Sequence, residues 1–422
     1  MMRPNGRAFK DERVTIMAFG LTKKELSWVL YDVGNSAFVM LSTALIPVYF
    51  ASIADPGSSV VVAWGYAETV ASLVLALLMP VLGSLADLAG NKKKFLVGFA
   101  GTGAVACAAL GVPEHALAFL VVYVIAAIML NGSMVFYDAF LVDATTEERY
   151  DKVSSHGYAW GYIGSCIPFI ACLAVVLGGS SFGIDAKLGM KIAFIITAVW
   201  WVIFTVPVAK NVKQLHGKKR SDHVLRTTIS GLKGTVKSIM KDKRLLFFML
   251  AFFFYIDGVH TVIKMSTSYG TDLGIDSTQL VLALLVTQFV AFPSAIAYGN
   301  LAKRFGTKRM LKVGVLAYFF IVLFAAFFLK SAVDFWILAI CVGLFQGGIQ
   351  ALSRSEYGKL IPKERANEYY GFFDIFGKYA AVMGTFLVSA FTQLTGSSSL
   401  GVLSIALLFI VGYLFLRAMP PM

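Results

Sequence analysis

The sequence predicts an all-α membrane protein with twelve transmembrane helices in two pseudo-symmetric six-helix bundles. Three observations carry that expectation. Of 422 residues, 58% are hydrophobic and 14% charged, whereas a soluble domain is about half apolar and a quarter charged. Apolar stretches near the roughly 20 residues needed to cross a hydrocarbon core recur twelve times. And residues 83–96, GSLADLAGNKKKFL, return 216 positions later as GNLAKRFGTKRMLK at 299–312, each copy joining two such stretches, which is how related membrane halves look in sequence.

The spans fall near 28–53, 60–86, 95–112, 116–142, 153–178 and 188–208, then 245–268, 278–300, 310–329, 333–357, 368–392 and 398–416. Backbone amides in lipid must bond within their own segment, so each is expected as a helix. Ahead of them lies a tail, 1–27, too polar for a cleaved signal peptide, ending in Thr22-Lys23-Lys24-Glu25, the spacing of a capping box that starts a helix. Gly178-Gly179-Ser180-Ser181 blurs the boundary between the fifth and sixth spans. Residues 209–244 part the bundles 28–208 and 245–422. Eleven Lys or Arg fill that linker, and Leu225, Ile229, Leu232, Val236 and Ile239 recur at helical spacing, so a basic amphipathic helix resting on anionic lipid is expected.

A formal charge of +13 would suit nucleic acid, but its placement argues for topology. Of 37 Lys and Arg, 31 fall in the tail, the C-terminus, the linker and alternate loops. Only Lys187, Lys191 and Lys330 take the other side, with Lys264, Arg354 and Lys378 inside spans. This positive-inside pattern predicts cytoplasmic termini. Cys107, Cys166, Cys172 and Cys341 lie in apolar spans without metal-ligand spacing, so neither a metal, a cofactor nor a disulfide framework is expected. No nucleophile–base constellation points to an enzyme, and the absence of G-x-x-x-x-G-K-[ST] removes ATP as the energy source. An ion gradient or the solute's own gradient remains.

The repeat runs further than its opening motif: Glu148-Arg149 matches Glu364-Arg365, Asp138 matches Arg354, Asp143 matches Lys359, and Tyr31-Asp32 finds a looser partner in Ile256-Asp257. GxLAD-x-x-G-[NT]-[KR] between the second and third spans resembles the motif of the major facilitator superfamily. LSWVLYDVGNSAF, VFYDAFLVDATTEERYDKVSSHGYAWGYIGS, FFYIDGVHTVIKMSTSYGTDLGI and QALSRSEYGKLIPKERANEYYGFFDIFGK resemble its vacuole-effluxer-like branch, which includes autophagy-related amino-acid exporters and bacterial members. The resemblance covers nearly the whole chain. It implies the major facilitator fold, pathway-lining first helices in each bundle and, more weakly, export of an amino acid. The compact length implies a bacterial member in the cell's inner membrane; a monomer is expected.

Ionisable groups at bilayer depth cost about 2.5–3.5 kcal/mol on insertion scales and so require a reason. Asp257, His260 and Lys264, spaced i, i+3, i+7, share one helix face, with Asp257 roughly 18 Å from the basic end at 1.5 Å per residue. They are read as lining a hydrated solute and proton pathway, with Asp257 beside His260 the candidate proton site; a neutralised pair that only locks helices is the alternative. Gln346, Gln350 and Arg354 follow at i, i+4, i+8 among Gly343, Gly347 and Gly348; amides suit a zwitterion or a hydroxylated solute, and arginine suits a carboxylate. Asn35 shares a face with Asp32 and Ser36.

For gating, Asp138 and Arg354 occupy equivalent positions with opposite charge and are expected to meet across the near-twofold axis. Asp87 precedes Lys92, Lys93 and Lys94. The resemblance places this acid near the start of the eleventh helix, whose positive dipole end favours it, and the lysines could pair with Asp143. Lys303 replaces the acid in the second copy, so an asymmetric gate led by the first copy is expected. Asp32 is read as gating and Asp374–Lys378 as self-neutralising. The chain reads as a secondary transporter exporting a small polar solute such as an amino acid; a sugar, drug-like cation or lipid cargo, and a non-transporting receptor or scaffold, are the alternatives.

Overall fold

The computed structural model describes residues 18–54, 60–218 and 224–421. Residues 1–17, Asp222 and the side chains of Leu225, Arg226, Ile229, Leu232 and Lys378 lie outside the described residues.

Thr22 caps α1 (Lys23–Ala44) through the expected box: Glu25 N donates to Thr22 Oγ1 at 3.2 Å and Thr22 N to Glu25 Oε2 at 2.7 Å. Pro47, which fits a first helical turn but not an interior, lies in the first turn of α2 (Ile46–Ile53), which bends away by 44° to finish the first span. The N-terminal bundle continues through α3 (Val60–Ala86), α4 (Lys92–Ala109), α5 (Ala116–Ala139), the one-turn α6 (Leu141–Ala144), α7 (Tyr150–Gly178) and α8 (Ala186–Asn211). A 3-10 turn, Gly179–Phe182, and the Asp185 cap on Leu188 N settle the blurred fifth boundary. The linker helix α9 (Val224–Lys241) leads into α10 (Lys243–Asp272), α11 (Ser277–Phe305), α12 (Thr307–Phe327), α13 (Ala332–Leu360), α14 (Ala366–Thr395), α15 (Ser398–Ser404) and α16 (Ala406–Ala418), the last two sharing the final span.

Among the described residues, nine helices are long and apolar enough to cross a membrane, ten with the bent α1–α2 pair. α4 and α14 occupy the third and eleventh positions but carry more polar residues: α4 opens on Lys92-Lys93-Lys94, and α14 holds Glu368, Asp374 and Lys378.

Each half ties its first helix to its fourth span through a tyrosine and a serine, although the two serines, 220 apart, stand one turn off the repeat of 216. Tyr31 Oη donates to Ser133 Oγ at 2.6 Å between α1 and α5, and Tyr255 Oη lies 2.7 Å from Ser353 Oγ between α10 and α13. Gly90 and Gly306, matched in the two loops, both take positive φ, +84° and +87°, a backbone that glycine alone adopts cheaply. The bundles meet along α7 with α11 and α13, and along α14 with α3 and α5. Both described ends of the chain lie on one side, termed here the basic face.

Candidate functional site

On the basic face the bundles are tied by charge. Arg354 on α13 is 2% exposed. Its Nη1 donates to Asp138 Oδ1 at 2.9 Å, Nε to Ser154 Oγ at 2.9 Å and Nη2 to Ser154 O at 3.0 Å. Asp32 Oδ2 lies 3.7 Å from Nη1 and accepts from Tyr137 Oη at 3.2 Å. The guanidinium sits over Tyr158, Trp28 and Tyr137 at 4.4, 4.7 and 5.2 Å from their ring centroids. Every one of these partners belongs to the N-terminal bundle, so a single C-terminal side chain is caged by α1, α5 and α7. Planar, five-donor arginine fits this cage and lysine does not.

Two lateral ties flank the cage. Asp87, just past α3, accepts from Asn367 N at 2.9 Å, Asn367 Nδ2 at 2.8 Å and Glu368 N at 3.0 Å. It thus occupies the free N–H groups that open α14. Gly83 allows this approach, because a Cβ there would lie 2.6 Å from Asn367 O. Burial pushes the Asp87 carboxyl up to about 6, against the opposing pull of Lys92 and the Asn367 donors. In water such a carboxyl titrates at the ordinary 3.8, the value expected for Asp87 in a conformation with this face open. The closed state therefore binds the proton more tightly, and its advantage grows as pH falls through about 6 and is lost above it. Between pH 7 and pH 5 the closed fraction should gain about ten-fold over the open one. Thiol labelling of Ser84→Cys at the seam should report this, and Asp87→Asn should flatten the dependence.

The second tie departs from the expectation that the first copy leads. Lys303 does replace the acid, but Asp151 on α7, absent from the sequence reading, supplies a carboxylate instead. It takes Lys359 Nζ at 2.7 and 2.8 Å, Thr307 Oγ1 at 2.8 Å and Ser355 Oγ at 2.5 Å. The same offset of 216 sets Asp151 opposite Asn367. The signal was present, with the acid moved to the other partner.

Below the cage, Lys92 Nζ lies 2.6 Å from Asp143 Oδ2, both side chains fully buried. Leu215 N, His216 N and His216 Nδ1 surround Asp143 Oδ1 at 2.8, 2.8 and 3.1 Å. Burial works to raise this carboxyl, but Lys92 and His216 outweigh it and hold it below the usual value of 3.8. Lys93 makes no ion pair among the described residues.

The linker is bound to protein rather than resting on lipid alone. Lys218 pairs backbone-to-backbone with Asp87 and Ala89 at 2.7 and 3.1 Å, and Gln214 Oε1 accepts from Gly90 N at 2.9 Å. Lys218 Nζ reaches Glu368 at 2.6 Å. Thr235 and Ile239 of α9 are buried, against α3 and α10, while Val236 and Met240 are exposed.

The expected pathway stripe is divided. Asp257 is fully buried: Oδ1 accepts from Gly384 N on α14 at 2.9 Å and from Thr261 Oγ1 at 3.3 Å, and Oδ2 has no hydrogen-bond partner among the described residues. His260 is half-buried and Lys264 exposed. Thr261 and Gly384 hold Asp257 against α14, while Asp32 stands beside Tyr137 and Arg354. Asn35 and Gln346 are also buried rather than open to solvent, and Asn35 Nδ2 lacks a partner among the described residues. Gln350 is half-buried. Gly347, beside Gln346, presses on Ala295 and Tyr162, and Gly348 on the Tyr298 ring, which brings α13 close to α7 and α11.

Against known proteins, residues 58–420 match the model of the vacuole effluxer Atg22-like family. The chain belongs to that family. A Bacillus subtilis relative described as an uncharacterized MFS-type transporter, YxiO, is 46% identical over 408 residues, covering 94% of this chain and 95% of its own. Autophagy-related protein 22 of Cryptococcus neoformans is 26% identical over 283 residues, 62% of this chain, which spans about half (48%) of that longer relative. The crystal structure of an MFS transporter, FucP, in the outward conformation superposes with a TM-score of 0.72 at 13% identity over 94% of this chain and 99% of its own. This family member is an integral, multi-pass MFS-type transporter.

Proposed function

We propose that the protein is a secondary transporter that exports a small polar solute, an amino acid in the first instance, by alternating access. The observation that carries the reading is the Arg354 cage. It is a cross-bundle seal on the basic face, built from charges that would be costly to bury unpaired, so it suits a contact that forms and breaks as the bundles rock. By the positive-inside pattern the sealed face is cytoplasmic, which leaves the described conformation open outward, in a monomer of a bacterial inner membrane. The amino-acid cargo draws support from the family resemblance and from the effluxer description of its model. Counterflow of labelled amino acids and sugars in proteoliposomes, with and without a pH gradient, tests it. Uptake of sugars alone, or of nothing by a folded protein, overturns the amino-acid reading.

Proton coupling is proposed to run through Asp257, whose Oδ2 has no partner among the described residues while Oδ1 is held by α14. Asp257→Asn should abolish accumulation driven by a pH gradient and leave counterflow within a few-fold of the parent. Equal loss of both activities would return Asp257 to a packing role.

A further inference from the structure

Among the described residues, no ion pair joins the bundles on the face opposite the seal. Two charges of the outer half are candidates for one, and neither has an ion pair among the described residues: Glu68 on α3 and Lys264 on α10.

Glu68 faces the cleft between the bundles. Leu77 (77% exposed) and Tyr66 (69%) mark the lipid side of α3, and Glu68 stands about two and a half turns from Leu77, on the opposite side. It shares its face with Ser72, Leu75 and Met79. Met79 and Gly83 press on α14 nearer the basic face, at Gly371 and Asn367. Toward the outer end that face opens: Ser72 is half-buried, Glu68 exposed, and a Cβ on Gly65 would meet nothing within 4 Å. Tyr123 Oη donates to Glu68 and fixes its carboxylate, with Trp64 4.3 Å from the tyrosine ring. Lys264 is exposed on a helix that presents no exposed large apolar side chain among the described residues. With no exposed apolar side chain among the described residues of α10, its lysine is read as opening to the same cleft. Lys264 lies eight positions, about 12 Å, from the end of α10 at Asp272, and Glu68 lies eighteen positions from the basic end of α3 at Ala86, so both stand in the outer part of their helices.

We propose that Glu68 and Lys264 pair when the outer face closes, forming the counterpart of Asp138–Arg354. Closing the cleft strips water from both charges, and a buried charge left alone is strongly unfavourable. Opposite signs on opposite bundles, both in the outer part of their helices, let each neutralise the other. Tyr123 acts as the positioning residue for Glu68. The inference rests on the alternating-access reading above.

The test is proximity under a forced swing. Glu68→Cys and Lys264→Cys are placed in a chain freed of its four native cysteines and treated with a short bifunctional thiol reagent. The reaction is run with Arg354 intact, with Arg354→Gln and, should that variant fold poorly, with Asp138→Asn. Ser84→Cys labelling, in a parallel chain, reports opening of the basic face. Labelling and cross-linking should rise together, each several-fold. Labelling that rises without cross-linking overturns the outer pair alone; no rise in either overturns both the pair and the swing on which it depends. In transport, Glu68→Gln and Lys264→Met should each slow counterflow several-fold, with the double variant no worse than either single. Losses that multiply would overturn the pairing.

Discussion

Arg354→Gln will open the basic face and empty the described conformation. Glutamine leaves Asp138 and Asp32 facing each other in a buried site without their cation, and withdraws the group held over three rings. Removing one member of a buried pair costs about 3–5 kcal/mol, more than a hundred-fold in population at 1.4 kcal/mol per factor of ten. The measurement is thiol labelling at Ser84→Cys from the basic side, with accessibility at the outer end falling in step. Asp138→Asn should act in the same direction but more weakly, since Ser154 and Asp32 still hold the guanidinium. Exchanging the two residues, Asp138→Arg with Arg354→Asp, should recover part of the loss. Recovery stays incomplete because Trp28, Tyr137 and Tyr158 surround only one of the two positions. An exchange no better than either single variant would refute the pairing.

Asp143→Leu will destabilise the fold itself rather than shift its conformations. Lys92 would be left fully buried with Ala139 O as its remaining acceptor at 3.2 Å, and Leu215 N and His216 N would lose theirs. About 3–5 kcal/mol is again at stake, read as a lowered thermal midpoint in detergent. Adding Lys92→Met should restore most of it, because an apolar pair of similar volume commonly replaces a buried ion pair at little cost. Asp143 is held below its ordinary value, so its contribution is present above that value and fades only as pH drops through the lower, folded one. Stability measured between pH 5 and 8 should therefore not register its titration.

What the chain disclosed before its coordinates depended on whether a property is linear or rotational. Span positions are linear: runs of apolar residues fixed them to within a few positions, and Thr22 and Glu25 fixed the start of α1. The offset of 216 is linear too, and it paired Asp138 with Arg354, whose hydrogen bond spans that separation. Rotation about a helix axis is not recoverable that way. The spacing of Asp257, His260 and Lys264 put them on one helix face, yet Asp257 is packed on α14 and Lys264 is exposed. Glu68 went unremarked because a single acid near a helix end carries no periodic signal; only the contrast between the packed and open parts of one α3 face exposes it. Asp151 escaped because its copy of the motif carries the charge on the opposite partner.

The segment 212–218 gives the last consequence. Its backbone is bonded to Asp87, Ala89 and Asp143, so by its contacts it belongs with the first six spans although it follows them in the chain. The repeat of the sequence and the contacts of the structure thus draw different borders: the repeat ends before the linker, while the backbone pairing of the first bundle runs on to Lys218.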